Sequence, residues 1–223
     1  IINIALEGMM LLGAFTGSVI LFFTNSITFS LIAAAISGIL IGFIHFIFVV
    51  IFNVNEIISG IAINIFASGF TIFLTQYIFS GQRSFIINSE NLLYIGPFSI
   101  LTYMSIIVLI LSGFILFKMP CGLRLRSAGE APLTASSLGI HIKRYKLAGC
   151  LISGLLAGLG GVYLPLFAGS FTKDMTAGRG FIALAALIFG RWKPAGIFIA
   201  CIIFGLAESI QMNLQQLNIP TQF

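Results

Sequence analysis

Charge is scarce in this sequence. Only 8% of its 223 residues are Asp, Glu, Lys or Arg, against about 25% in an ordinary soluble domain. With 59% apolar residues and a mean hydropathy of +1.13, no water-soluble fold could bury its apolar surface. A bilayer solvating the outward helix faces removes that difficulty. Paired cysteines are also lacking: Cys121, Cys150 and Cys201 lie far apart in or beside apolar runs, with no spacing for a disulfide framework or a metal site. They read as structural. There is no Gly-Lys pair for a phosphate-cradling loop, no His-Glu-x-x-His and no Gly-x-Ser-x-Gly, so the chain is expected to catalyse nothing and to bind no cofactor or metal of its own. An initiator Met and a basic leader are absent too, which leads us to expect a fragment or trimmed chain lacking N-terminal helices.

What is present is a series of apolar runs of membrane length. Residues 6–23, 27–52, 57–79, 100–117, 147–167 and 197–214 each approach the roughly 20 residues needed to cross a hydrocarbon core. Residues 181–190 are too short, and read as a short span extended by its flanks or as a re-entrant segment. The expected fold is all-α, a polytopic transmembrane bundle of about seven membrane segments forming one domain over residues 1–223. The turn at residues 53–56 is the weak point of this count.

The net charge of +5 could suggest nucleic acid, but six of the eleven basic residues fall between Lys118 and Lys146, in the longest polar connection. That concentration reads as orientation. The positive-inside rule places residues 118–146 in the cytoplasm, residues 81–97 and 168–180 outside, and Arg191 and Lys193 inside again.

Polar residues inside the spans are the candidates for function. Glu56, Gly60, Asn64 and Ser68 stand four apart and share one helix face, which Thr71 and Thr75 extend. Polar groups facing lipid are costly, so this stripe should face the bundle interior, either packing on a neighbour through its small residues or lining a solute path. On the path reading, Ile61 and Ile65 point elsewhere. Glu7 follows Asn3 by four residues, and Glu208 precedes Gln211 and Gln215 on its own face. These acids could bond a solute or simply sit at the membrane interface. His45, alone in an apolar run, reads as a satisfied helix-packing histidine in preference to a proton relay. Gly13-x-x-x-Gly17, Gly38-x-x-x-Gly42, Gly154-x-x-x-Gly158 and Ala157-x-x-x-Gly161 allow close helix approach and say nothing about substrate.

The cytoplasmic loop reads Gly122-Leu-Arg-Leu-Arg-Ser-Ala-Gly-Glu-Ala-Pro-Leu-Thr-Ala-Ser-Ser-Leu-Gly-Ile140, then Lys143-Arg-Tyr-Lys146. This order resembles the coupling segment of bacterial ABC importer permeases of the simple-sugar, nucleoside and branched-chain amino-acid type. Four further segments resemble the same family, in its order. Asn3-Ile-Ala-Leu-Glu-Gly-Met-Met-Leu-Leu-Gly-Ala-Phe15 looks like its early membrane helix, and Asn55-Glu-Ile-Ile-Ser-Gly-Ile-Ala-Ile-Asn64 like the version in nucleoside permeases. Ser153-Gly-Leu-Leu-Ala-Gly-Leu-Gly-Gly161 and Gly178-Arg-Gly-Phe-Ile-Ala-Leu-Ala-Ala-Leu-Ile-Phe-Gly-Arg-Trp192 match that subgroup. Pro132 departs from the pattern.

The resemblance implies a subunit of the bacterial cytoplasmic membrane, translocating a nucleoside or similar small polar solute, with a simple sugar also open. It implies a second permease, with a heterodimer favoured, a cytoplasmic ATPase holding ATP and magnesium, and an extracytoplasmic solute-binding protein. The solute path is then assigned to Glu56, Gly60, Asn64, Ser68, Glu7 and Glu208. ATPase coupling is assigned to Arg124, Arg126, Gly129, Glu130, Ala131, Ser136, Ser137 and Gly139, with a short helix within residues 129–139. The alternative is an ion-coupled secondary transporter using Glu7, Glu56 and Glu208; a scaffold that moves nothing is a third reading.

Overall fold

A computed structural model describes residues 3–79, 82, 84–87, 94–95 and 98–216. Nine α-helices occur among them: α1 (Leu6–Thr24), α2 (Ile27–Phe46), α3 (Glu56–Ile78), α4 (Ile100–Lys118), α5 (Pro120–Glu130), α6 (Pro132–Ser137), α7 (Ile142–Ala168), α8 (Arg179–Phe189) and α9 (Pro194–Gln216). Six are long and apolar enough to cross a membrane, and α8 is the shorter apolar helix. The expected all-α bundle is present with six long helices and one short one. Two small antiparallel ladders supplement it: β1 (Ser84–Ile86) with β4 (Ser170–Thr172), and β2 (Tyr94–Ile95) with β3 (Phe98–Ser99).

Local chemistry sets the breaks. Asn25 ends α1 at φ 50°, a left-handed conformation that Asn tolerates. Over Ile47–Ile51 the end of α2 widens into a π turn, and the Asn55 side chain then accepts from Ile57 N at 2.8 Å and caps α3. Pro120 and Pro132 open α5 and α6, where their fixed φ suits a first helical turn. Pro132 is thus the first residue of α6, within the interval where one short helix was expected. The 118–146 connection is more helical than that expectation, because α5 fills its first half and α7 begins at Ile142, five residues before the apolar run at 147.

The core is α1, α2 and α7, packed through glycines. A Cβ on Gly13 would stand 2.5 Å from Gly158 Cα, and one on Gly42 would stand 2.5 Å from Cys150 O. Those distances leave no room for a side chain at either glycine. Gly38 faces Gly154 in the same way. The pairing of 38 with 154 and 42 with 150 makes α2 antiparallel to α7. Asn3 meets Ser153, and Gly17 meets Val162, so α1 runs parallel to α7. Gly60 against Ile4 and Asn64 against Gly8 make α3 parallel to α1. At the end of the bundle away from the basic connection, stacked Phe79 and Phe85 (centroids 4.0 Å apart) join Phe171 and Phe15, sealing β1 and β4 onto α1 and α3. By contrast α4 has no buried residue.

Beyond α7, the left-handed Gly169 (φ 68°) stops the helix and β4 turns back along α3. The chain descends through residues 173–178 in non-helical form, and only then enters α8. Its 11 residues are roughly 16 Å long, about half a crossing. Residues 181–190, left open between a short span and a re-entrant segment, are the helical half of a broken passage ending at Arg191 and Lys193. Irregular backbone at membrane depth is tolerated only where protein or a water-filled cavity surrounds it.

Candidate translocation site

The broken passage delivers the first turn of α8 into the interior. There Glu7, at the start of α1, accepts from Gly178 N at 2.9 Å through Oε1 and from Gly180 N at 2.7 Å through Oε2. A carboxylate suits this place because the first N–H groups of a helix have no partner of their own and carry the positive end of its dipole. Gly180 is required, since a Cβ there would lie 2.5 Å from Glu7 N. Between these glycines Arg179 donates to Met175 O at 3.1 Å and to Glu208 of α9, holding α8 and α9 together.

On the other side of α1, Asn64 uses both ends of its carboxamide. Its Oδ1 accepts from Gly8 N at 2.8 Å and its Nδ2 donates to Ile4 O at 3.0 Å. Gly60 lies a turn earlier, where a Cβ would stand 2.8 Å from Ile4 Cβ. Glu56 is half-buried at the start of α3, and Ser68 donates to Asp174 Oδ1 at 2.7 Å. The stripe Glu56, Gly60, Asn64 and Ser68 therefore runs along the seam between α3, the start of α1 and the descending segment. Ile61 and Ile65 are exposed away from it. Depth follows from the pairing of Asn3 with Ser153: α1 begins about 16 Å along α7 from Ile142. Glu7 and the α8 N-terminus accordingly lie at the level of the apolar run of α7, away from its basic start.

Glu208 bonds Arg179, a partner its spacing did not suggest; Gln211 is exposed, and the side chain of Gln215 lies outside the described residues. His45 is fully buried and bonded to Ser59 Oγ at 3.0 Å through Nδ1, but its Nε2 has no partner among the described residues, so the expected satisfied histidine is only half satisfied there. Sequence reasoning missed Lys173, Asp174 and Arg179. The available signal was a group of charges in a short segment flanked by apolar runs.

The coupling candidates cluster at the basic end. Arg124, Gly129, Glu130, Ala131, Ser136, Ser137 and Gly139 are exposed. Arg126 lies 4.7 Å from the Phe117 ring centroid and 3.5 Å from Glu130 Oε1. Ser136 and Ser137 bond back to Leu133 O and Thr134 O, while Leu133 and Leu138 are 86% and 76% exposed. Both are apolar side chains on an otherwise polar knob.

A bundle of long apolar helices around a half-helix whose N-terminus is held at depth defines a multi-pass membrane protein built as a transporter. Residues 1–221 match the family described as branched-chain amino acid transport system / permease component, and the chain belongs to it. It is 39% identical to the guanosine ABC transporter permease protein NupQ of Bacillus subtilis (strain 168), over 95% of this chain and 73% of that one. To the nucleoside ABC transporter permease protein NupC of Lactococcus lactis it is 36% identical, over 100% and 78%. A second permease from the same Bacillus, the guanosine protein NupP, is 29% identical over 99% and 67%. No solved structure matches the chain significantly.

Proposed function

We propose that the chain is a permease subunit of an ATP-driven importer of the bacterial cytoplasmic membrane, and that it passes a nucleoside from outside to inside. The observation that carries this reading is its likeness, at 39% and 36% identity, to permeases named for guanosine and nucleosides. A second permease completes the channel. Two different guanosine permeases in one Bacillus support a heterodimer. A solute-binding protein feeds the outer side, and a cytoplasmic ATPase, which holds the ATP and magnesium, docks on α5 and α6 through Arg124, Arg126, Gly129, Glu130, Ala131, Ser136, Ser137 and Gly139. The ion-coupled alternative loses its support with the family assignment.

The path runs along the seam bearing Glu7, Glu56, Gly60, Asn64 and Ser68, and past Glu208. With Glu7 and Asn64 bonded to neighbouring backbone, the seam is closed. A rigid-body shift of α8 and α9 against α1 opens it. A helix N-terminus already occupied by Glu7 repels a second anion, which suits a neutral solute. The test is reconstitution with the ATPase, binding protein and second permease in proteoliposomes. Guanosine should accumulate in an ATP-dependent manner, and excess glucose should not compete; uptake of glucose but not guanosine would overturn the nucleoside assignment.

A further inference from the structure

Charged side chains stand at the middle depth of the bundle on a surface that the described part of the chain leaves open. Ser68 lies halfway along α3, and Asp174 accepts its hydroxyl at 2.7 Å. Lys173 Nζ is 4.0 Å from Asp174 Oδ2, and the two side chains are 50% and 48% exposed. Beside them Thr71, Ile72, Thr75, Gln76, Phe171 and Lys173 border a shallow surface groove. The Thr71 and Thr75 hydroxyls are spent on helix carbonyls, so Lys173 and Gln76 are the lining residues with other polar groups, and Asp174 stands next to Lys173 at its edge. On the adjoining side of α3, Gly69 has nothing within 4 Å of where a Cβ would sit.

Hydrocarbon cannot cover this surface. Ionised groups at mid-membrane face a bundle interior or water, and they mark solute pathways. The backbone points the same way: Asp174 and Ala177 hold left-handed φ of 51° and 46°, uncommon for residues other than glycine and concentrated at functional sites.

We propose that Lys173 and Asp174 are the polar contacts for the ribose of a nucleoside at the midpoint of the path. This rests on the nucleoside-permease reading above and locates the sugar within it. An ionised carboxylate only accepts, at about four lone-pair positions. Ser68 takes one, and two adjacent hydroxyls donate to those that remain. Lys173 donates to a ribose oxygen from the other side. Together the pair carries no net charge, so it holds a neutral diol without attracting ions. Ile72 and the open flank at Gly69 leave apolar surface for a planar base.

The test uses the assembled importer in proteoliposomes with guanosine, 2′-deoxyguanosine and 2′,3′-dideoxyguanosine. Asp174→Asn keeps a residue that tolerates left-handed φ and still accepts from Ser68, but it no longer offers two acceptor oxygens. The KM for guanosine should rise about tenfold, as expected for a lost charged hydrogen bond, while that for the dideoxy compound changes less than about twofold. Equal changes for all three compounds overturn the inference. Independently, Gly69→Cys, in a chain with Cys121, Cys150 and Cys201 replaced by Ala, should react with a small polar thiol reagent and be protected by guanosine. No reaction, or reaction indifferent to guanosine, overturns it as well. If the unaltered importer moves no nucleoside, the functional reading falls with it; if it does and only these results fail, the ribose contact alone is wrong.

Discussion

Replacing Asn64 with Ala strips partners from two backbone groups at once, Gly8 N–H and Ile4 C=O. Unsatisfied groups at a packed seam cost about 1–3 kcal/mol each when water cannot replace the lost partner. Asn64→Ala should therefore lower unfolding stability in detergent by about 2–6 kcal/mol, besides slowing uptake several-fold; a transport defect with unchanged stability would make the residue a solute contact only. Spacing in the sequence was enough to place Asn64 on one face with Glu56, Gly60 and Ser68. It could not say what that face meets, because Ile4 and Gly8 are roughly 60 positions away. Glu7 is similar: an acid in an apolar run was visible, but its partners Gly178 and Gly180 lie 171 and 173 residues further on. Arg179 and Glu208, each readable as an interfacial charge, become one link between α8 and α9 only when the passage folds.

At the scale of elements, glycine position separates contact from open surface. Gly13 and Gly160 both sit in apolar helices, yet a Cβ at Gly13 runs into the Gly158 backbone while one at Gly160 meets nothing within 4 Å. Gly13→Ala should thus destabilise the bundle by about 1–3 kcal/mol, as overpacking does. Gly160→Ala should leave it unchanged or gain up to about 1 kcal/mol from helix propensity. Thermal unfolding of the two variants checks the contrast, and equal losses would contradict the observed packing. The long helices were legible because about 20 apolar residues have one economical arrangement in a bilayer. Their neighbours were legible in part, since small-xxx-small spacing marks close-packed faces but not which faces meet. The descent through residues 173–178 was not legible. A segment without helical hydrogen bonds leaves no periodicity, and its contacts with Ser68 and Glu7 are distant in sequence.

Across the whole molecule, α7 is the element that joins the exposed knob to the core. It starts at Ile142, directly after the α6 turn closed by Gly139 (φ 78°), and continues unbroken past Gly154 and Gly158 to Ala168, where β4 begins. On the proposed docking of the ATPase, a push on α6 would pass through α7 to the α1–α2–α7 packing and onward to the descending segment and α8. The Arg126–Glu130 pair on α5 is solvent-exposed at 3.5 Å, a geometry worth about 0–1 kcal/mol, so its loss should hardly affect folding. Glu130→Ala should consequently lower transport-coupled ATP turnover more than it lowers solute recognition. The firmer test lies on α6. Leu133 and Leu138 present apolar side chains beside Ser136 and Ser137, and covering such a leucine is worth about 1.5–3 kcal/mol. Cysteines at 136 or 137 should crosslink to a surface groove of the ATPase in the assembled importer, and Leu133→Asp should reduce both crosslinking and ATP-driven uptake by tenfold or more. Absence of crosslinks across a full scan of that groove, in a complex that still transports, would move the docking surface away from α6.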